Sequence, residues 1–134
     1  MLAELGDIES GTRHFQTAIA LNPRLSRAQL NLGVALAKQG RTEEAIRPLQ
    51  EAVRLTPDSP EASYYLGSVY AAQNRYGDAA ENFRQALRIQ PDLVPAHQSL
   101  AQLLALQGKT DQAKLHYQEA IRLMKQSRSM PRMR

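Results

Sequence analysis

Three histidines, His14, His97 and His116, are the side chains of this 134-residue sequence best suited to hold a metal or carry a proton near neutral pH. His14 and His116 stand at equivalent points of a 34-residue sequence period, three periods apart, too far to share one ion. Glu43 and Glu44 form an adjacent acidic pair. Consecutive side chains diverge around a helix, so the two do not converge on one reacting atom. Their place at an expected helix start lets them complement the helix dipole instead. Every glycine falls in a repeat column, so none builds a phosphate-binding loop. No nucleophile lies beside a plausible base. Cysteine is absent, which removes disulfides, thiolate metal ligation and cysteine nucleophiles together. The expectation is no catalysis, no cofactor and no metal.

The net charge of +4 invites a nucleic-acid reading, and its distribution argues against one. From Arg122 onward the charged residues are Arg122, Lys125, Arg128, Arg132 and Arg134, all basic; the remaining 12 basic residues face 13 acidic ones. The body is near neutral, and the basic character belongs to the end of the chain. Nucleic-acid or membrane association is therefore expected only weakly, through that basic segment. No run approaches the ~18 apolar residues that span a bilayer. Residues 1–7 lack the basic and then apolar pattern of a signal peptide. The compartment stays open, with the cytoplasm as the expectation.

The elements follow from the period. Pro23, Pro57 and Pro91 are spaced by 34 residues, and sliding the sequence by that length aligns much else. Ala18, Ala52, Ala86 and Ala120 share a column, as do Phe15, Leu49, Phe83 and Tyr117. Leu32, Leu66 and Leu100 form another, followed by Gly33, Gly67 and Ala101. Gly6, Gly40, Asn74 and Gly108 form a turn column suited to a left-handed helix end. Within each period apolar residues recur at helical spacing. The pattern predicts seven helices, at about 7–21, 26–39, 42–55, 60–73, 76–89, 94–107 and 110–125, and no strands. Thr42 and Thr110 are expected to cap their helices. Ser59, followed by Pro60 and Glu61, is a further helix start. Pro48 falls inside a helix, where a local bend or widened turn is expected near Glu44 and Pro48, with packing of Leu49 and Val53 carrying the helix on to about Leu55. One hairpin cannot bury its apolar face alone, so neighbouring hairpins must share a continuous core.

These columns resemble the tetratricopeptide repeat family. Its first-helix signature appears as Gln29-x-x-Leu32-Gly33-x-x-Leu36, Ser63-x-x-Leu66-Gly67-x-x-Tyr70 and His97-x-x-Leu100-Ala101-x-x-Leu104. The second-helix signature is fullest in Ala79, Phe83, Ala86 and Pro91. The resemblance covers residues 6–123. Departures are the missing leading tryptophans, Gly11 in an alanine column and Lys125 in place of a fourth proline. The resemblance implies an all-α solenoid of antiparallel helix hairpins, about three full units and a partial N-terminal one, wound as a right-handed superhelix whose concave groove is lined by first helices. It also implies that His97, in the column of a packed aromatic, is a packing residue. The expected division is a repeat domain over 1–125 and a basic flexible tail over 126–134.

The same resemblance implies a protein–protein interaction or scaffolding role, with a protein or peptide held in the groove. The alternative is a regulatory or substrate-docking segment of a larger enzyme, of glycosyltransferase type for instance. The carboxylate clamp of some family members would fall on Leu30, Val34, Tyr65, Pro95 and Ser99, none of which matches. The asparagine ladder of the sugar-transferase subclass would fall on Asn31, Tyr65 and Ser99, which gives one rung. The expected groove residues are Arg27, Leu30, Asn31, Val34 and Lys38, then Glu61, Tyr64, Tyr65 and Ser68, then Gln98, Ser99 and Gln102. Tyr64 and Tyr65 are consecutive and cannot both face a core, so one is expected to line the groove. The incomplete first repeat leaves Phe15, Ala18 and Ile19 short of a packing partner, so the expectation is either that the native chain continues upstream or that this end pairs with another copy.

Overall fold

A computed structural model describes residues 10–17 and 25–129. The described residues form seven helical segments and no strand. Residues 10–17 are helical (α1). They are followed by α2 (Ser26–Lys38), α3 (Thr42–Leu55), α4 (Pro60–Ala72), α5 (Tyr76–Ile89), α6 (Val94–Leu106) and α7 (Thr110–Ser129). Helices α2 and α3, α4 and α5, and α6 and α7 pair as hairpins. Successive hairpins join through α3 on α4 and α5 on α6, and the first helices also meet directly, α2 with α4 and α4 with α6. The result is an α-solenoid.

The hairpin turns are set by backbone chemistry. Gly40 and Gly108 adopt φ of 77° and 76°, and Asn74 takes 62° in the same column. The left-handed residue lets the chain double back, so that the Arg41 N–H reaches the Leu36 carbonyl at 2.9 Å and the Arg75 N–H reaches the Tyr70 carbonyl at 2.9 Å. This closure shifts the helix starts from the expected caps. Thr42 is the first residue of α3, Arg41 holds the cap position, and no side chain caps that end. Thr110 is likewise the first residue of α7. Ser59 does cap α4: its Oγ accepts from the Ala62 N–H at 3.2 Å, and Pro60 opens the helix.

Small and large residues alternate through the core. Ala45, Ala52, Ala79, Ala86, Ala113 and Ala120 are buried on the second helices, which lets the axes of each hairpin approach. Leu49 and Phe83 fill the grooves so opened, and a Cβ at Gly33 or Gly67 would run into them. Helix α3 continues through Pro48 to Leu55, with Leu49 buried on its inner face.

Helix α7 runs to Ser129, four residues past the expected end at 125. Lys125 stands where Pro57 and Pro91 stop the equivalent helices, and lysine leaves the next amide free to bond. Residues 126–129 are thus helical, and residues 130–134 lie outside the described residues. At the other end, Phe15 is half-buried and packs against the core, while Ala18 and Ile19 lie outside the described residues.

Candidate protein-binding face

Helices α2, α4 and α6 present one residue column after another on a shared face. At its α2 end, the Arg27 guanidinium pairs with the Glu61 carboxylate of α4 at 3.3 Å, one period apart and both exposed. Asn31 and Val34 are half-buried beside it, and Lys38 is exposed. Leu30 departs from expectation: it is 5% exposed and belongs to the core. It borders a hollow that it shares with Ala62 of α4. Gln98 holds the column of Leu30 in α6 and is exposed.

Tyr64 and Tyr65 are both half-buried. Their rings meet edge to face, with centroids 5.4 Å apart at 68°. Tyr64 also leans on Phe83, with centroids 5.7 Å apart. Both rings pack against the core, with Tyr64 making the further ring contact to Phe83, so the expectation that only one of the two could face a core is corrected. Ser68 donates its hydroxyl to the Tyr64 carbonyl at 3.0 Å, which fixes its orientation.

Between α4 and α6 lies a hollow of about 280 Å³. Ser68, Ser99 and Gln102 line it, together with Ala71, Tyr76, Phe83, Leu103 and Leu106. Three of the expected groove residues thus converge on one cavity with an apolar lining and a polar rim. None of its lining residues carries a charge. Tyr76 and Leu106 were not among the expected residues, because they sit at helix ends where column reasoning is least constrained. A second hollow, of about 240 Å³, opens beside Arg27 and Leu30 and is bounded by Ser26, Thr56, Ser59 and Ala62. A larger one, of about 500 Å³, is lined by Gln29, Arg47, Pro48, Gln50, Glu51 and Arg54 and holds none of the expected residues. It is an open recess in which Arg47, Glu51 and Arg54 carry charge.

Several charged residues of the second helices are engaged with each other. Arg41 pairs with Glu44, Arg54 with Glu51, Arg75 with Asp78 and Arg122 with Glu119. The hydrogen bond from each arginine holds the Glu44, Glu51 and Glu119 carboxyls below their ordinary range.

The histidines resolve differently from the sequence pairing. His14 is exposed on α1. His97 is 7% exposed, in keeping with a packing role. Its Nε2 lies 2.8 Å from the Pro91 carbonyl, and its Nδ1 lies 3.0 Å from Nδ1 of His116 across the α6–α7 hairpin. The sequence columns placed His116 with His14 and so concealed this contact. Among the described residues, no group of three or more histidine, aspartate or glutamate side chains is placed to hold a metal. No helix among them is long and apolar enough to cross a membrane.

Tetratricopeptide repeat models match residues 2–60 and 47–94, and another matches 94–126. The chain belongs to the tetratricopeptide repeat family. No curated protein matches it. Among solved structures it is similar to a MamA crystal structure, at 23% identity and a TM-score of 0.89, over 96% of this chain and 75% of that one. It is also similar to MamA 41-end from Desulfovibrio magneticus RS-1, at 24% identity and a TM-score of 0.86, over 96% of this chain and 72% of that one. A MamA RS-1 ArsTM double mutant aligns at 24% identity and a TM-score of 0.88, over 96% and 72%. At these identities the likeness concerns the fold.

Proposed function

We propose that this chain is a protein-interaction scaffold module that holds a protein or peptide segment along the α2–α4–α6 face. The observation that carries this reading is the hollow between α4 and α6, where Ser68, Ser99 and Gln102 rim a lining of Phe83, Leu103 and Leu106. An apolar side chain entering there would leave water, while the serines and the amide would bond the flanking backbone. Binding sites of this kind are mainly apolar with a few placed polar groups. The uncharged lining fits an uncharged anchor, with charge discrimination left to the exposed Arg27, Glu61 and Lys38 at the rim.

Affinity capture with the full chain and with its Tyr65→Ala and Gln102→Ala variants, read by mass spectrometry, tests this function. Partners held by the face should be recovered by the wild type and depleted from both variants. Equal recovery by all three would move the contact to another surface.

A further inference from the structure

We propose that His97 and His116 form a latch between α6 and α7 that accepts one proton and opens on a second, so that the third hairpin loosens in acid. The Pro91 carbonyl can only accept a hydrogen bond. The 2.8 Å contact therefore requires a hydrogen on His97 Nε2. Neutral His97 then carries its lone pair on Nδ1. The His116 Nδ1 at 3.0 Å must be the donor, which leaves the lone pair of His116 on Nε2. The ring centroids are 5.3 Å apart, farther than the two nitrogens by about the two ring radii, so the nitrogens point at each other. This is the arrangement of a hydrogen bond. Two ligands of one ion would aim at a common third point.

The first added proton goes to Nε2 of His116. It leaves the Nδ1 bond intact and makes its donor cationic. A second proton has only His97 Nδ1 to occupy. Two N–H groups would then face each other at hydrogen-bond distance, each on a positive ring, and the contact must break. The surroundings oppose even the first proton. Burial, followed by the charges of His97 and of Arg84 on α5, pushes His116 below its ordinary value of 6.5, while Glu119 on α7 opposes them. Glu119 is itself tied to Arg122. A histidine held below its free value is protonated first in the unfolded chain as pH falls. Its contribution to stability is complete above 6.5 and is lost as pH falls from there through the folded value.

The other repeats lack the device. The equivalent positions are Gln29 with Pro48 and Ser63 with Asn82, neither of which titrates near neutrality. The consequence is confined to the third hairpin, where Gln98 and Ser99 adjoin His97 on α6. Weaker partner binding in acid rests on the interaction reading above; the latch itself does not.

Long-range nitrogen–proton NMR on the full chain at pH 8 should find the ring proton of His97 on Nε2 and that of His116 on Nδ1. Hydrogen exchange, corrected for the intrinsic rate, should show protection of α6 and α7 falling several-fold as pH is lowered below 6.5, with α2 and α3 little changed. In His116→Asn, which repeats the chain's own choice at Asn82, an amide N–H can still donate to His97 and the pH-dependent loss should disappear. The opposite tautomers, a loss retained in the variant, or unchanged protection in the wild type would each overturn the proposal. The tautomer result stands on the wild type alone, whatever the variant's stability. Partner affinity that stays constant with pH while protection falls would count against the groove reading and leave the latch in place.

Discussion

Gly33 lies against Leu49 so closely that a Cβ on the glycine would sit 2.4 Å from the leucine Cγ and 2.6 Å from its Cδ2. Leu49 is fully buried and has no open space to retreat into. Gly33→Ala should therefore cost about 1–3 kcal/mol of overpacking. Gly77 is the control: it lies in α5 with nothing within 4 Å of a built Cβ. Gly77→Ala should raise stability by roughly 0.5–1 kcal/mol through helix propensity. Urea titration of both variants checks the pair, and loss of the contrast between them would refute the packing account.

The Ser63 hydroxyl is buried with no hydrogen-bond partner among the described residues. Its column holds Gln29 in the first full repeat and His97 in the third, both large enough to reach beyond the helix, whereas serine cannot. Removing an orphaned polar group recovers its desolvation cost. Ser63→Ala should leave stability unchanged or raise it by up to about 1 kcal/mol. A destabilised variant in the same titration would mean that the hydroxyl is satisfied.

Ser59 caps α4 through the Ala62 N–H, and α4 supplies the middle of the binding face. Ser59→Ala should cost about 1 kcal/mol. Thr42→Ala should cost clearly less, because Thr42 is the first helical residue and no side chain caps α3. Thermal unfolding of the two variants should rank them in that order.

The comparison of Ser59 with Thr42 also shows how far the amino-acid pattern reaches. The 34-residue period locates α2 to α6 to within a residue at each end, because buried columns and turn residues recur in phase. It misplaces the caps at Thr42 and Thr110, since the turn at Gly40 or Gly108 consumes one residue fewer before the next helix begins. It also ends α7 too early, at 125, because the missing proline at Lys125 reads as a departure from the repeat and not as permission for the helix to run on. Leu30 looked like a surface residue because a column alone does not say whether neighbouring side chains cover it. The His97–His116 contact joins two different columns, and repeat alignment compares residues only within a column.

The central claim is that a partner binds the α2–α4–α6 face. Both rings pack against the core, and Tyr65 tests the claim better than Tyr64, which makes an additional ring contact to the buried Phe83. The decisive measurement is the calorimetric affinity of a captured partner for the wild type, Tyr65→Ala and Lys38→Ala, with helical content checked by circular dichroism. Half-buried aromatics dominate binding energy, so Tyr65→Ala should weaken binding by about 2 kcal/mol. Exposed rim charges contribute little, so Lys38→Ala should cost well under ~1 kcal/mol. Undiminished affinity in a folded Tyr65→Ala variant would contradict the account.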